Sequence, residues 1–199
     1  MEDQTLPTRQ KLLGISKQLM MSKGYNATTV EEICKLAQVT KGAFFYYFKT
    51  KEELGVSVLK DYWQSRQRQF ADSQWMEEEH PLQQIQAFLA VVADAFMNDP
   101  NGYSCLAGSF AQELADTNPM FRTLVAELFA EWTQQIKPVL QAAKEIAAVP
   151  GEIDIDLLAD YIVVVIEGAI ILALARQDRN VIKHQMNLLN THLQVVFNA

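Results

Sequence analysis

Apolar residues recur every three or four positions along most of the chain, which is the spacing of one face of an amphipathic α-helix. The first such stretch covers residues 8–23 and ends at Gly24, a residue that commonly follows the last turn of a helix. The pattern predicts eight further helices, at about 30 to 37 or 38, 41–48, 51 to the low seventies, 81–97, 104–115, 119–148, from Asp154 or Asp156 to 175, and 180–197. We therefore predict an all-α protein with about nine helices.

Capping patterns mark the starts of three of these helices. Thr29 is followed three residues later by Glu32, and Thr50 by Glu53. Each threonine hydroxyl can cap its helix, and each carboxylate can reach back to the backbone N–H of that threonine. Thr40 caps the segment between them. Three short helices with a tight turn before the last describe a helix-turn-helix, in which the last helix enters the DNA major groove. We predict a DNA-binding domain over residues 1–52 and a larger helical domain for ligand binding and dimerisation over 53–199.

The third short helix has a composition that suits contact with DNA. Its N-terminus presents free N–H groups to phosphate, and Lys41 adds a positive charge there. Small side chains at the next two positions, Gly42 and Ala43, allow close approach to a groove wall. Two aromatic residues four apart are predicted to face the core and the other three to face outward: Phe44 and Phe48, then Phe45, Tyr46 and Tyr47. In the alternative interpretation, all five serve packing alone.

Charge is distributed unevenly along the 199 residues, whose net charge is −7. Residues 1–60 hold nine basic and six acidic side chains, a net charge of +3, whereas the remainder has a net charge of −10. This asymmetry slightly favours a polyanion as the partner of the N-terminal segment. Hydrophobic residues at 49% and charged residues at 21% are ordinary values for a globular chain.

Two segments resemble the TetR family of bacterial transcriptional repressors: VTKGAFFYYFKTKEEL at 39–54 and GYNATTVEEI at 24–33. The resemblance is close over about residues 8–60. It implies that Thr29 and Lys51 contact phosphate and that Lys41, Gly42 and Ala43 lie against base edges or the groove wall. It also implies that Phe45, Tyr46 and Tyr47 touch sugar, phosphate and thymine methyl groups. The predicted DNA-binding residues are thus Thr29, Thr40, Lys41, Gly42, Ala43, Phe45, Tyr46, Tyr47 and Lys51.

The eighth predicted helix contains the most apolar run of the chain. The run Tyr161–Ala175 is interrupted by Glu167 and, at 15 residues, is shorter than a membrane span, so we interpret it as a buried helix and a membrane span as a weak second. The final helix carries an apolar stripe: Val181, Ile182, Met186, Leu189, Leu193 and Val196. A monomer would expose a large patch, and in the TetR family the last two helices form the dimer interface. We predict a homodimer through these helices.

Aromatic residues of the middle helices are the candidate walls of an effector pocket. Together with Cys105 they form the predicted ligand-binding set: Phe88, Phe96, Tyr103, Cys105, Phe110, Phe121, Phe129 and Trp132. We expect a small apolar or aromatic effector, because only three basic residues occur between Asp72 and Pro150. Cys105 is predicted at a helix start, which favours a thiolate, and it resembles a reactive cysteine in one branch of the family. A buried, inert thiol is the favoured alternative.

Enzymatic signatures are missing from the sequence. The three histidines show no metal-ligand spacing, and there is no phosphate loop, GxGxxG or GxSxG. We expect no catalytic site, no metal, no cofactor and no membrane partner. With two cysteines and a polar N-terminus, we expect a cytoplasmic protein. The predicted function is a ligand-responsive repressor that binds operator DNA as a dimer. The alternative is a helical dimeric interaction protein without specific DNA binding.

Overall fold

The computed structural model describes residues 8–99, 104–147 and 153–198, and these residues contain nine α-helices and no β-strand. A short 3-10 helix at Trp75–Glu77 precedes the fifth α-helix. The nine helices are α1 (Thr8–Lys23), α2 (Val30–Ala37), α3 (Lys41–Tyr47), α4 (Lys51–Asp72), α5 (Pro81–Met97), α6 (Leu106–Leu114), α7 (Pro119–Ala147), α8 (Ile155–Arg176) and α9 (Asn180–Asn198). The predicted all-α class is confirmed.

Predicted helix ends differ from the observed ones by no more than two residues, and two of the differences concern Phe48 and Cys105. The aromatic helix ends at Tyr47, because Phe48 has extended backbone angles, although its N–H still donates to the carbonyl of Phe44. The short helix begins at Leu106, so Cys105 precedes the helix instead of lying within its first turn. α7 continues through Pro138 as one helix.

Compactness divides the chain into two units. One unit contains the described residues of 1–66 together with 106–125, and the other contains those of 67–105 and 126–199. The boundaries fall inside α4 and α7. The sequence pattern predicts a domain boundary after residue 52. The first compact unit extends beyond that boundary, because it also contains α6 and the start of α7.

In the second unit, the apolar stripe of α9 packs inside the protomer. Val181, Ile182, Met186, Leu189 and Leu193 are at most 5% exposed, because α9 lies against α5 and α8. This corrects the sequence argument, in which the stripe was left for a second copy. The large apolar side chains that remain exposed on these helices are other residues: Leu157, Tyr161, Val164, Ile171 and Leu174 on α8, and Leu188 and Val195 on α9.

Within the described residues, α8 is the one helix that is long and apolar enough to cross a membrane by length and composition. It has 22 residues, more than the apolar run suggested, because the helix begins at Ile155 after the capping residue Asp154. Its inward residues Ile162, Ile166 and Ala173 are fully buried, and it packs along α9. That packing is what the core helix of a helical domain shows.

Two glycines offer a matched test of packing in the first unit. At Gly55 in α4, an added Cβ would lie 2.7 Å from the Tyr25 ring and 3.0 Å from that of Phe121, whereas at Gly14 in α1 nothing lies within 4 Å. We expect Gly55→Ala to lower the free energy of unfolding by about 1 kcal/mol, because overpacking outweighs the gain in helix propensity. Gly14→Ala should raise it by up to about 1 kcal/mol. Urea denaturation checks both, and equal effects of the two substitutions would contradict this packing.

Candidate nucleic-acid interface

The turn between α2 and α3 is built by local hydrogen bonds. Thr29 caps α2, its hydroxyl accepting from the N–H of Glu32 at 3.2 Å. α2 ends where Gln38 adopts a left-handed conformation, φ 54°, so that the chain turns after one residue. Thr40 then caps α3, accepting from the N–H of Ala43 at 3.1 Å. The predicted helix-turn-helix is therefore present, with both predicted threonine caps.

The two predicted capping boxes form only on their threonine side. The Glu32 carboxylate is hydrogen-bonded to Lys23 at the end of α1. The Glu53 carboxylate accepts from the backbone N–H of Lys49 at 2.7 Å, while the Thr50 hydroxyl accepts from the N–H of Glu53 at 3.0 Å. Each carboxylate thus stabilises the chain just before its helix, and Glu32 links α2 to α1.

The five aromatic residues of α3 and its end separate into two groups as predicted. Phe44 and Phe48 are 0% and 1% exposed and anchor the helix to the core. Phe45, Tyr46 and Tyr47 are 44%, 75% and 36% exposed. The rings of Tyr46 and Tyr47 meet edge to face with centroids 5.0 Å apart. One face of α3 is therefore fastened to the protein and another presents large aromatic side chains to solvent.

The start of α3 is small and accessible. A methyl group at Gly42 would meet only the Thr40 hydroxyl, at an ordinary distance of 3.7 Å, so packing within the protein does not require glycine there. Lys41 is exposed and forms an ion pair with Glu31, whose pKa is lowered by the hydrogen bond from the Lys41 ammonium. The small residues thus leave room beside α3, and the lysine is paired with a solvent-exposed carboxylate.

Lys51 has a different environment from the one that the resemblance implies. Its ammonium donates to the carbonyl of Asn26 at 3.3 Å and lies 4.2 Å from the centre of the Tyr25 ring. Burial lowers the pKa of Lys51, with the nearby Glu113 carboxylate acting in the opposite direction. Lys51 therefore supports the turn between α1 and α2, and its contact with phosphate stays a prediction.

The turn between α1 and α2 is held by α6, a feature that sequence reasoning missed. The two carboxylate oxygens of Glu113 accept the N–H groups of Tyr25 at 2.8 Å and Asn26 at 2.7 Å. Gly24 has φ +86°, and a Cβ there would lie 2.9 Å from Glu113 Oε2. A signal was present in the sequence, because Glu113 follows the apolar residues Leu106 and Phe110 at helical spacing and so interrupts an apolar face.

Two of the predicted pocket walls pack against the turn between α1 and α2. Phe110 and Phe121 pack edge to face against Tyr25, with centroids 5.6 Å and 5.2 Å away, and against each other at 5.3 Å. Burial, reinforced by the Glu52 and Glu113 carboxylates, raises the pKa of Tyr25 to about 12. Phe110 and Phe121 are 1% and 0% exposed, so they form an aromatic core in the first unit, and their role as ligand-binding walls stays a prediction.

The other predicted walls lie in the second unit. Phe88, Phe96 and Trp132 are buried in its core, where Phe88 contacts Phe70 and Trp75 at ring distances of 5.8 Å and 5.2 Å. Phe129 is half-buried and lines a groove of about 480 Å³ between α7 and α8. Tyr103 lies outside the described residues. Of the predicted walls in this unit, Phe129 is the member that lines this groove.

Cys105 is 3% exposed, and its thiol is hydrogen-bonded to the carboxyl group of Glu167. Cys34 is also buried, and burial raises the pKa of its thiol. The Glu31 carboxylate acts on the Cys34 thiol in the same direction as burial, and Lys41 acts in the opposite direction. Among the described residues, no group of three or more His, Cys, Asp or Glu side chains could hold a metal ion.

Comparison with known proteins covers both halves of the chain. Residues 12–58 match the family described as bacterial regulatory proteins, tetR family, and residues 81–189 match the tetracyclin repressor-like C-terminal domain. The HTH-type transcriptional repressor DhaR of Mycobacterium sp. (strain GP1) is 28% identical over 193 residues, which is 97% of this chain and 92% of that protein.

Solved structures show the same fold. A TetR transcriptional regulator from Chloroflexus aurantiacus superposes with a TM-score of 0.84 at 26% identity, covering 94% of each chain. The regulatory protein TetR from Rhodobacter sphaeroides superposes with a TM-score of 0.81 at 23% identity, covering 93% of this chain and 98% of that one.

Proposed function

The chain belongs to the TetR family and is a ligand-responsive DNA-binding regulator, and on this basis we propose that it is a repressor whose homodimer holds operator DNA through α3. The family consists of regulatory DNA-binding proteins, not enzymes. The observation that carries the proposal is the exposed aromatic face of α3: Tyr46 is 75% exposed on a helix that Phe44, at 0% exposed, anchors to the core.

The exposed residues of α3 and the two capping threonines each have a role at the DNA. Lys41, Gly42 and Ala43 lie against base edges or the groove wall, where small side chains permit close approach. Phe45 and Tyr46 contact sugars and thymine methyl groups. Tyr47 donates its hydroxyl to a phosphate, and Thr29 and Thr40 do the same at the starts of their helices. As a DNA-binding regulator, the protein acts in the cytoplasm.

The dimer face of this proposal lies on the outside of α8 and α9. Leu157 and Val164 are 66% and 67% exposed, and Leu188 and Val195 are 63% and 61% exposed on α9. A second copy that covers these side chains removes them from water and supplies the second recognition helix, which a two-fold operator needs about 34–36 Å away. The dimer is released from the operator DNA when a small effector with a largely apolar or aromatic body binds the C-terminal domain.

Fluorescence anisotropy tests the proposal, with a labelled duplex selected from a random-sequence pool by the protein itself. If each half of the dimer contacts about 3–4 phosphates, the logarithm of the association constant should fall with the logarithm of salt concentration with a slope of roughly −5 to −7. Sedimentation of the complex should give two protomers per duplex. A flat salt response, or one protomer per duplex, would contradict the proposal and favour an interaction protein without DNA binding.

An exposed aromatic and an exposed aliphatic residue provide the matched variants. Tyr46→Ala should weaken DNA binding about tenfold or more, because it removes a side chain that lies in the proposed groove contact. Ile146→Ala, at the end of α7 and 60% exposed, should bind like the unchanged protein. Both should unfold at nearly the same urea concentration as the unchanged protein, so that a loss of affinity reports on the DNA contact. Equal affinities of the two variants would remove α3 from the interface.

A further inference from the structure

A groove of about 480 Å³ lies between α7 and α8, a volume that is usual for the binding site of a small organic molecule. Four residues of α7 and four of α8 line it: Ala126, Phe129, Ala130 and Thr133, and Asp160, Val163, Val164 and Glu167. Its walls are largely apolar. Its two ionisable side chains are both carboxylic acids, and none of the eight lining residues is basic.

The carboxyl group of Glu167 lines this groove with one of its hydrogen-bond acceptors unsatisfied. Its Oε1 atom is buried and has no hydrogen-bond partner among the described residues. The Cys105 thiol hydrogen-bonds to the carboxyl group, and this favours the ionised form, but burial is the stronger influence and raises the pKa of Glu167 to about 7. A buried acceptor without a partner is destabilising, and a ligand with an N–H donor would supply the missing hydrogen bond.

The second acid of the groove, Asp160, is exposed and lies about two helical turns before Glu167 on the same side of α8. A positively charged molecule that enters past Asp160 meets favourable charge along the way to Glu167. An anion meets two carboxyl groups and no counter-charge. The half-buried ring of Phe129 and the side chain of Val163 supply apolar contacts for the body of the same molecule.

We propose that the α7–α8 groove binds a small organic cation that has an apolar or aromatic body and an ammonium or amidinium group whose N–H donors pair with Glu167. Its role as effector rests on the proposed function, whereas its binding does not. A charge-assisted hydrogen bond in a partly enclosed site should make the cation bind roughly ten- to a hundredfold more tightly than an uncharged analogue of the same shape.

Isothermal titration calorimetry without DNA tests the site with 4-phenylbutylamine as the probe and 4-phenylbutanol as its uncharged analogue. The amine should bind the unchanged protein at least tenfold more tightly than the alcohol. Glu167→Gln should lose this preference. Glu127→Gln makes the same change of charge at an exposed position of α7 outside the groove lining, and should keep it. Equal binding of amine and alcohol, or a preference that survives in Glu167→Gln, would overturn the proposal.

The effector role has its own measurement. The amine should lower the affinity of the unchanged protein for its selected duplex by about 5- to 150-fold, and should leave that of Glu167→Gln unchanged. An amine that binds at Glu167 without changing DNA affinity would overturn the effector role. A protein that fails to bind DNA even without amine would refute the proposed function instead, while the calorimetry would still decide whether the groove binds the cation.

Discussion

Glu167→Gln should stabilise the protein by roughly 3 kcal/mol at pH 8 and by only about 1 kcal/mol at pH 5. Burial raises the pKa of Glu167 from 4.5 to about 7, so the folded protein holds this proton more tightly than the unfolded chain does. The stability that the protonated carboxyl contributes is complete below pH 4.5 and is lost as the pH rises through 7. Glutamine is neutral over this whole pH range, so Glu167→Gln does not lose this stability as the pH rises.

Urea denaturation at several values of pH between 5 and 8 measures this difference. Glu127→Gln is the matched control, because its carboxyl is exposed, and its effect should be small and independent of pH. The free energy of unfolding of Glu167→Gln could instead differ from that of the unchanged protein by the same amount at pH 5 and pH 8. That result would show that Glu167 is ionised in water-like surroundings. The groove would then lack the buried acid on which its proposed ligand depends.

Glu113→Ala should lower the free energy of unfolding by roughly 2–4 kcal/mol, because two backbone N–H groups lose a charged acceptor at once. The amides of Tyr25 and Asn26 should also exchange with deuterium much faster, since the carboxylate oxygens at 2.8 Å and 2.7 Å are what protects them. Hydrogen exchange followed by NMR resolves these two positions, and urea denaturation gives the stability.

The control for this substitution is Asp116→Ala, which removes an exposed carboxylate just beyond the end of α6. It should leave both amides protected. Unchanged exchange of Tyr25 and Asn26 in Glu113→Ala would mean that α6 does not hold the turn between α1 and α2. Weaker DNA binding by Glu113→Ala, with Asp116→Ala unaffected, would show that this turn must be held for α3 to meet its duplex.

The local features of the DNA-binding unit could be predicted from the sequence because they depend on neighbours along the chain. A threonine caps the N–H groups two or three residues later, so Thr29 and Thr40 mark the starts of α2 and α3 wherever those helices lie. Helical spacing likewise separates Phe44 and Phe48 from Tyr46, because a helix has 3.6 residues per turn in any fold. The order of short helices and the inward and outward aromatics follow from these two rules.

Side-chain partners that are distant along the chain were decided by the tertiary structure alone. Periodicity predicts that one face of α9 is buried, but not that α5 and α8 cover it inside the protomer. It marks Phe110 and Phe121 as core residues, but not that Tyr25 is their neighbour. The reason is that hydrophobic burial has no direction: an apolar face is stabilised by any apolar surface that covers it.

The two acids show the same division most clearly. An acidic residue on an apolar helical face is visible in the sequence at both Glu113 and Glu167. In the folded chain one of them accepts two backbone hydrogen bonds, while the other has an oxygen without a partner and a raised pKa. A carboxyl group is ionised or protonated according to the donors and water that surround it, and those surroundings exist only after residues far apart in sequence have packed together.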